Sequence, residues 1–248
     1  MSTLVLITND DGIDSEGLWV LYEKISEVFP TAVVAPINES SGSSHSISLT
    51  KAIRVESLGD NIFKVDGTPT DCTNIAINGL LKERPSLVIA GINKGGNFGD
   101  DIFYSGTTAA AMESALLGIP AISASLHLGK SRNFLLGAKY VRLLAENVLR
   151  EGLPERVFIN VNIPDIPNGE DVKGIKVTKL CRRVYGAPAT SAEDPRGMKF
   201  WFIGGNELGF LKNGETDIEA VLENYISVTP IKVEMNHACE IGWITKLK

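Results

Sequence analysis

The chain has 248 residues, 44% of them apolar and 22% charged, with 11 Pro and a formal net charge of −6. That composition excludes a disordered, collagen-like or low-complexity chain, and the length suits one α/β domain with a modest extension. Residues 1–120 carry 15 acids against 7 bases and residues 121–248 carry 15 against 17, with Arg182-Arg183 the only basic cluster, so a nucleic-acid backbone reader is disfavoured.

Leu4, Val5, Leu6 and Ile7 form an unbroken apolar run, as expected of a strand buried on both faces of a parallel sheet. Asn9-Asp10-Asp11-Gly12 ends it. Leu18, Leu21, Tyr22, Ile25, Val28 and Phe29 then recur at helical spacing until Pro30. A second apolar run over 32–35, closed by Pro36, completes a β-α-β unit. A Ser-rich polar loop covers 37–46, and short strands are predicted near 53–55 and 62–65. A helix over 70–81 leads to a strand over 87–90 and a Gly/Asn-rich loop over 91–99. An Ala-rich helix follows over 107–117, then a strand over 121–124. Phe134, Ala138, Val141, Ala145 and Val148 mark a long amphipathic helix before a strand over 157–163.

The texture changes after about residue 170. Ile175, Val177 and Leu180 alternate as in a strand, and 181–214 is rich in Gly and Pro, broken by the apolar run 200–203. A helix over 216–222, a strand over 225–229 and a closing helix from Asn236 complete the reading. The fold class is α/β, a doubly wound, mostly parallel sheet with helices on both faces over residues 1–165; residues 166–248 form an extension packed on the same core. Cys72, Cys181 and Cys239 are odd in number and scattered, which argues against a disulfide framework or a zinc site and suits a reducing cytoplasm. No signal-peptide core and no run of membrane-spanning length is expected.

Four segments fall where ligands bind in open α/β sheets, beyond the carboxyl ends of strands. Asp10 and Asp11 stand side by side at the first strand's end. Their mutual repulsion points to a hard cation, although aspartates also suit a helix start. The stretch 39–46 offers hydroxyls and exposed N–H groups for an oxyanion or a cation shell, or is a plain surface loop; His45 reads equally as a proton carrier or a solvated histidine. The stretch 91–101 combines closely spaced glycines with the neutral amides of Asn93 and Asn97, or is a long turn. Ser105-Gly106-Thr107-Thr108 opens the Ala-rich helix and suits a phosphate cradle at the helix N-terminus, or a simple cap. No P-loop, dinucleotide fingerprint, nucleophile elbow or H-E-x-x-H pair occurs. Carboxylate, amide and hydroxyl oxygens favour Mg²⁺ or Mn²⁺ over Zn²⁺.

Read together, TNDDGIDSEG (8–17), VVAP…SSGSSHSI (33–47), DGTPTDC (66–72), VIAGINKGGNFGDDIFYSGTTAAAMES (88–114), FINVNIP (158–164), DPRG (194–197) and TDIEAVLENYISVTP (216–230) resemble the stationary-phase survival protein SurE family of metal-dependent nucleotidases. The resemblance spans nearly the whole chain, and NDDG with GIN-x-G-x-N and YSGT is highly specific. It implies a Rossmann-like core in a three-layer α/β/α arrangement with a β-rich carboxyl-terminal extension that makes dimers or tetramers. It implies one divalent metal ion per subunit on Asp10, Asp11, Ser41 and Asn97. It also implies phosphatase activity on nucleoside 5′-monophosphates, with 3′-monophosphates and polyphosphate as side substrates. The chain departs from the family where many relatives carry Asp and Arg before the ligand serine; the corresponding positions here are Ile37 and Ser40, which removes an anion contact.

The expected chemistry is phosphoryl-ester hydrolysis of a small nucleotide in the cytoplasm, with no nucleic-acid or membrane partner. Asp10 and Asp11 are the candidate catalytic carboxylates, either of them able to take a proton from the attacking water. Asn93, Ser105, Gly106 and Thr107 are the candidate phosphate ligands, and no general acid for the leaving alkoxide stands out. The competing reading is a metal-dependent nucleotide or phosphate sensor without turnover, because ground-state binding uses similar donors. An aspartyl-phosphate mechanism is a further alternative, but the chain lacks the usual D-x-D pattern.

Overall fold

A computed structural model of the chain describes residues 3–234, apart from 128, 130, 168–170, 186–188, 204–207 and 212–213. The closing helix predicted from Asn236 lies outside the described residues, as do His237 and Cys239. The strands are β1 (Val5–Thr8), β2 (Thr31–Pro36), β3 (Val55–Gly59), β4 (Ile62–Val65), β5 (Leu87–Lys94), β6 (Ala121–Leu126), β7 (Val157–Ile163), β8 (Ile175–Val177), β9 (Arg182–Tyr185), β10 (Thr190–Glu193), β11 (Lys199–Phe202), β12 (Leu208–Leu211) and β13 (Ile226–Lys232). The helices are α1 (Glu16–Ser26), α2 (Pro69–Ile75), α3 (Gly106–Leu116), α4 (Phe134–Glu151) and α5 (Asp217–Leu222).

Among the described residues nine strands make one sheet in the order β3-β4-β2-β1-β5-β6-β7-β13-β8. The run from β4 to β7 is parallel throughout, with β3 antiparallel to β4 at one side. The apolar strands predicted from sequence are its centre, since a strand covered on both faces has no polar side. On one face, Leu18, Leu21 and Ile25 of α1 and Phe134, Ala138 and Val141 of α4 pack on Ile7, Val33 and Ile89. On the other, Cys72 of α2 and Ala110, Ala111 and Ala115 of α3 pack on Leu6, Val34 and Val88. The small alanines let α3 lie close to the sheet. The arrangement is the doubly wound α/β/α fold expected. No helix among the described residues is long and apolar enough to cross a membrane.

Three elements differ from the sequence reading. The helix predicted over 70–81 is α2 followed by a π-helical turn over Ala76–Leu80. A capping box between Thr68 and Asp71, with Pro69 at the first helical position, sets its start. The predicted 91–99 loop begins later, because β5 continues through Asn93 and Lys94, paired with Ser125 and Leu126 of β6 after a register shift. Gly91 allows this passage. Its φ is +135°, and a Cβ there would lie 2.3 Å from the Ala124 carbonyl oxygen. The 181–214 stretch contains two short antiparallel ladders, β10 with β11 and β9 with β12.

The chain returns to the main sheet at its end. β13 runs antiparallel to β7 and parallel to β8, while α5 starts from a second capping box, Thr216 with Glu219. β1 hands the chain to α1 on one face and β5 leads to α3 on the other. The crevice at their carboxyl ends is therefore the topological switch point, where such sheets bind ligands.

Candidate active site

Asn9 shapes the turn after β1: its Nδ2 donates to the Gly12 carbonyl at 2.8 Å and to Ser15 Oγ at 2.6 Å. This folds the chain back so that Asp10 is buried, 3% exposed, while Asp11 stays partly open to the cleft. The Thr107 hydroxyl donates to Asp10 Oδ1, and the Lys94 N–H donates to Asp11 Oδ2 at 3.0 Å. One carboxylate is thus held by the first turn of α3 and its neighbour by the end of β5. The loop after β2 closes over them, with the Ser40 N–H donating to the Asp10 carbonyl at 2.7 Å. Gly106 makes this contact possible. A Cβ there would sit 2.8 Å from both Asp10 Cβ and Ser43 Oγ.

The electrostatics follow from burial. Desolvation pushes the Asp10 carboxyl up to about 6; the Thr107 hydroxyl works against this and the Asp11 charge adds to it. Asp11 is also raised, first by burial and then by the charge of Glu39, against the Lys94 N–H. Two adjacent carboxylates that resist ionisation, both built into a turn, are the donor chemistry that a hard divalent cation would offset. Asn9 Oδ1, next to Asp10 in the chain, and Ser43 Oγ, beside Gly106, are each buried without a hydrogen-bond partner among the described residues. The residues therefore fit a cation bound through oxygen. Among the described residues no three His, Cys, Asp or Glu side chains gather as a metal cluster, so two carboxylates plus neutral oxygens is the available set.

The remaining predicted residues lie on β5, on the loops after β2 and β5, and at the start of α3. Asn97 is buried and held from β6 and β7. Its N–H donates to Asn162 Oδ1 at 2.8 Å, its carbonyl accepts from Asn160 and Asn162, and its Nδ2 donates to Ser125 Oγ at 2.8 Å. The amide nitrogen is engaged there, which leaves Oδ1 as the end that can serve a cation. Ser41 is exposed and donates to Glu39 Oε1 at 2.8 Å. It lines a cleft of about 410 Å³ with Asp11, Glu39, Lys94 and Arg132. Asn93 lies on β5, and its Nδ2 donates to the Gly95 carbonyl at 2.8 Å. Ser105 caps α3, its Oγ accepting from the Thr108 N–H at 3.1 Å. With Thr107 meeting Asp10 through both its hydroxyl and its backbone N–H, Gly106 carries the first-turn amide of α3 that none of these bonds engages.

Sequence reasoning missed several supporting groups. Asn160 and Asn162 are two polar residues one pleat apart in an otherwise apolar central strand, and that anomaly is a readable signal. Asp100 and Asp101, at the end of the Gly-rich segment, are engaged by Arg183. Asp100 Oδ2 accepts from the Arg183 N–H at 2.9 Å, and Asp101 Oδ1 from Arg183 Nε at 2.6 Å. Arg183 also lies 5.1 Å from the Phe210 ring, so the β9–β12 ladder clamps the 3-10 turn (Gly99–Phe103) that feeds α3. Asp217 completes the link. It is fully buried and accepts from the Gly99 N–H at 2.8 Å and the Cys181 N–H at 3.0 Å.

The chain is similar over most of its length to known proteins. A family model described as survival protein SurE matches residues 5–187. A protein of Geobacter sulfurreducens named 5′-nucleotidase SurE is 44% identical over 239 residues, covering 96% of this chain and 91% of its own. One of the same name from Myxococcus xanthus is 45% identical over 233 residues, 93% of this chain and 88% of its own. The crystal structure of the SurE protein from Aquifex aeolicus superposes with a TM-score of 0.86 at 35% identity, covering 98% and 99% of the two chains. On the family match and on relatives this similar over nearly their full length, the chain belongs to the survival protein SurE family.

Proposed function

We propose that the chain is a divalent-metal-dependent 5′-nucleotidase, a phosphoric monoester hydrolase that converts nucleoside 5′-monophosphates to nucleoside and phosphate. The observation that carries this reading is the buried Asp10 beside Asp11, held at the first turn of α3 by Thr107. The relatives named 5′-nucleotidase SurE support it.

Asp10, Asp11, Ser41 and Asn97 would hold one Mg²⁺ or Mn²⁺ per subunit. The bound cation would polarise the phosphoryl oxygens and lower the pKa of the attacking water. The Gly106 N–H and the positive end of α3 would take the phosphate oxygens, with Asn93, Ser105 and Thr107 fixing the geometry around them. Asp11, the carboxylate that lines the cleft, would accept the proton of the attacking water. The nucleoside would extend into that cleft past Lys94 and Arg132.

Phosphate release from AMP and GMP tests the reading, with Mn²⁺ added and then removed by EDTA. Metal-dependent release supports it; binding of nucleotide without release would instead make the chain a sensor. We further propose a cytoplasmic location. Residues 166–248 would serve assembly into a homodimer or homotetramer on the core of residues 1–165. The exposed Phe200, Trp201 and Phe202 of β11 and Ile203 beyond it support this, because an apolar row of that size seldom faces water alone.

A further inference from the structure

The loop between β2 and β3 runs over residues 37–54 without regular structure, yet it carries Ser41 and Ser43 to the carboxylate pair. A loop of that length needs anchors. Its first part is tied to Asp10 through Ser40. Its second part is tied to α2 and α3, and two buried carboxylates do most of that. Ser48 N–H donates to Asp71 Oδ1 at 2.8 Å, and the Thr68 hydroxyl donates to the Ser46 carbonyl at 2.7 Å. His45 Nε2 lies 2.9 Å from Glu113 Oε2, while the other oxygen of Glu113 accepts from Asn74 Nδ2 at 2.7 Å.

Glu113 is 7% exposed and has no place in the chemistry above. A carboxylate buried in the middle of a helix is costly without partners, and here both of its oxygens are matched to donors from outside that helix. Its position on α3 gives the arrangement meaning. Thr107 at the start of α3 holds Asp10; Glu113, six residues on, holds the loop that bears Ser41. A single rigid helix thereby fixes the distance between the two parts of the donor set, although they lie on separate loops.

We propose that Glu113, acting through His45 and braced by Asn74, is a positioning residue that sets the Ser41–Ser43 loop in register with Asp10. The proposal rests on the metal-site reading given above. Outer groups that orient ligands typically contribute 10–100-fold to metal affinity.

The test uses the purified full chain and four proteins: wild type, His45→Ala, Glu113→Ala and Glu113→Gln. Amide hydrogen exchange of residues 40–48 is measured without metal, and Mn²⁺ binding is measured by the electron paramagnetic resonance of free Mn²⁺. His45 is at the surface, so its variant keeps the test open should Glu113→Ala fold poorly. Both alanine variants are expected to speed loop exchange and weaken Mn²⁺ binding about 10-fold. Glu113→Gln, which can still accept from Asn74 and reach His45, is expected to restore most of both. Faster exchange with unchanged Mn²⁺ affinity would make Glu113 a loop anchor only and overturn the proposal. So would unchanged exchange in both alanine variants. If the wild type itself binds no Mn²⁺ the metal-site reading fails, and the positioning claim fails with it, whereas the exchange data still report whether the clamp holds the loop. Absence of phosphate release from AMP by a wild type that binds Mn²⁺ would count against the nucleotidase reading alone.

Discussion

Replacing Asp10 by Asn should make the metal-free protein more stable at neutral pH while destroying its response to metal. Burial raises the Asp10 carboxyl from 3.8 to about 6, so ionising it in the folded chain costs about 3 kcal/mol relative to the unfolded chain. The stability tied to the protonated form is fully present below pH 3.8 and is lost as the pH rises through about 6. Asn removes that penalty. It also replaces one carboxylate oxygen by a donor, and the Thr107 contact or its neighbour loses an acceptor, at about 1.5 kcal/mol. The net gain at pH 7.5 is about 1.5 kcal/mol, or about 3–6 °C in melting temperature for a chain of this size. Thermal denaturation in EDTA between pH 4 and pH 8, for both proteins, measures it. The difference between the curves cancels titrating groups remote from Asp10 and reports the coupled Asp10–Asp11 pair. Stabilisation by added Mn²⁺ should appear in the wild type and vanish in the variant. A variant that is less stable than wild type at every pH, with no growing advantage between pH 4 and pH 7, would refute the argument that Asp10 is held against its own solvation.

Other outcomes follow from the same geometry. Gly106→Ala puts a Cβ against Asp10 and Ser43, so kcat/KM for AMP should fall at least ~10-fold and up to ~100-fold while the far-ultraviolet circular dichroism is retained. Ser105→Ala removes the α3 cap and should cost about 1 kcal/mol in urea denaturation. Thr107→Val keeps the volume and deletes the donor to Asp10, which should lower Mn²⁺ affinity about 10-fold by calorimetric titration. Trp201→Glu places a charge in the exposed apolar row and should reduce the assembled mass in light scattering.

The sheet was legible because its central strands are apolar on both faces, and such runs stand out. Val5, Val33 and Val88 each lie in one. The site was legible as chemistry, since paired carboxylates, clustered hydroxyls and neutral amides at strand ends suggest a ligand without needing distances. What escaped was long-range pairing. Nothing local says that His45 meets Glu113 across 68 residues, or that Gly99 meets Asp217 across 118. The continuation of β5 also escaped, because Gly91 and Asn93 are poor strand formers whose pairing is set by β6 rather than by propensity. The ladders over 181–214 were hidden for a related reason: their residues are largely exposed, so no buried face writes an alternating pattern.

The place of β13 in the sheet bears on any attempt to shorten the protein. It covers β7 along residues 157–162, from Val157 paired with Lys232 to Asn162 paired with Ser227. Cutting the chain after residue 165 would turn β7 into an open apolar edge, a template for aggregation. It would also remove Asp217, the carboxylate that secures Gly99 just ahead of α3. Core and tail are therefore one inheritance: a gene shortened to residues 1–165 would encode the carboxylate pair with its own holding bonds, but on a sheet left open at β7 and a turn left loose at Gly99.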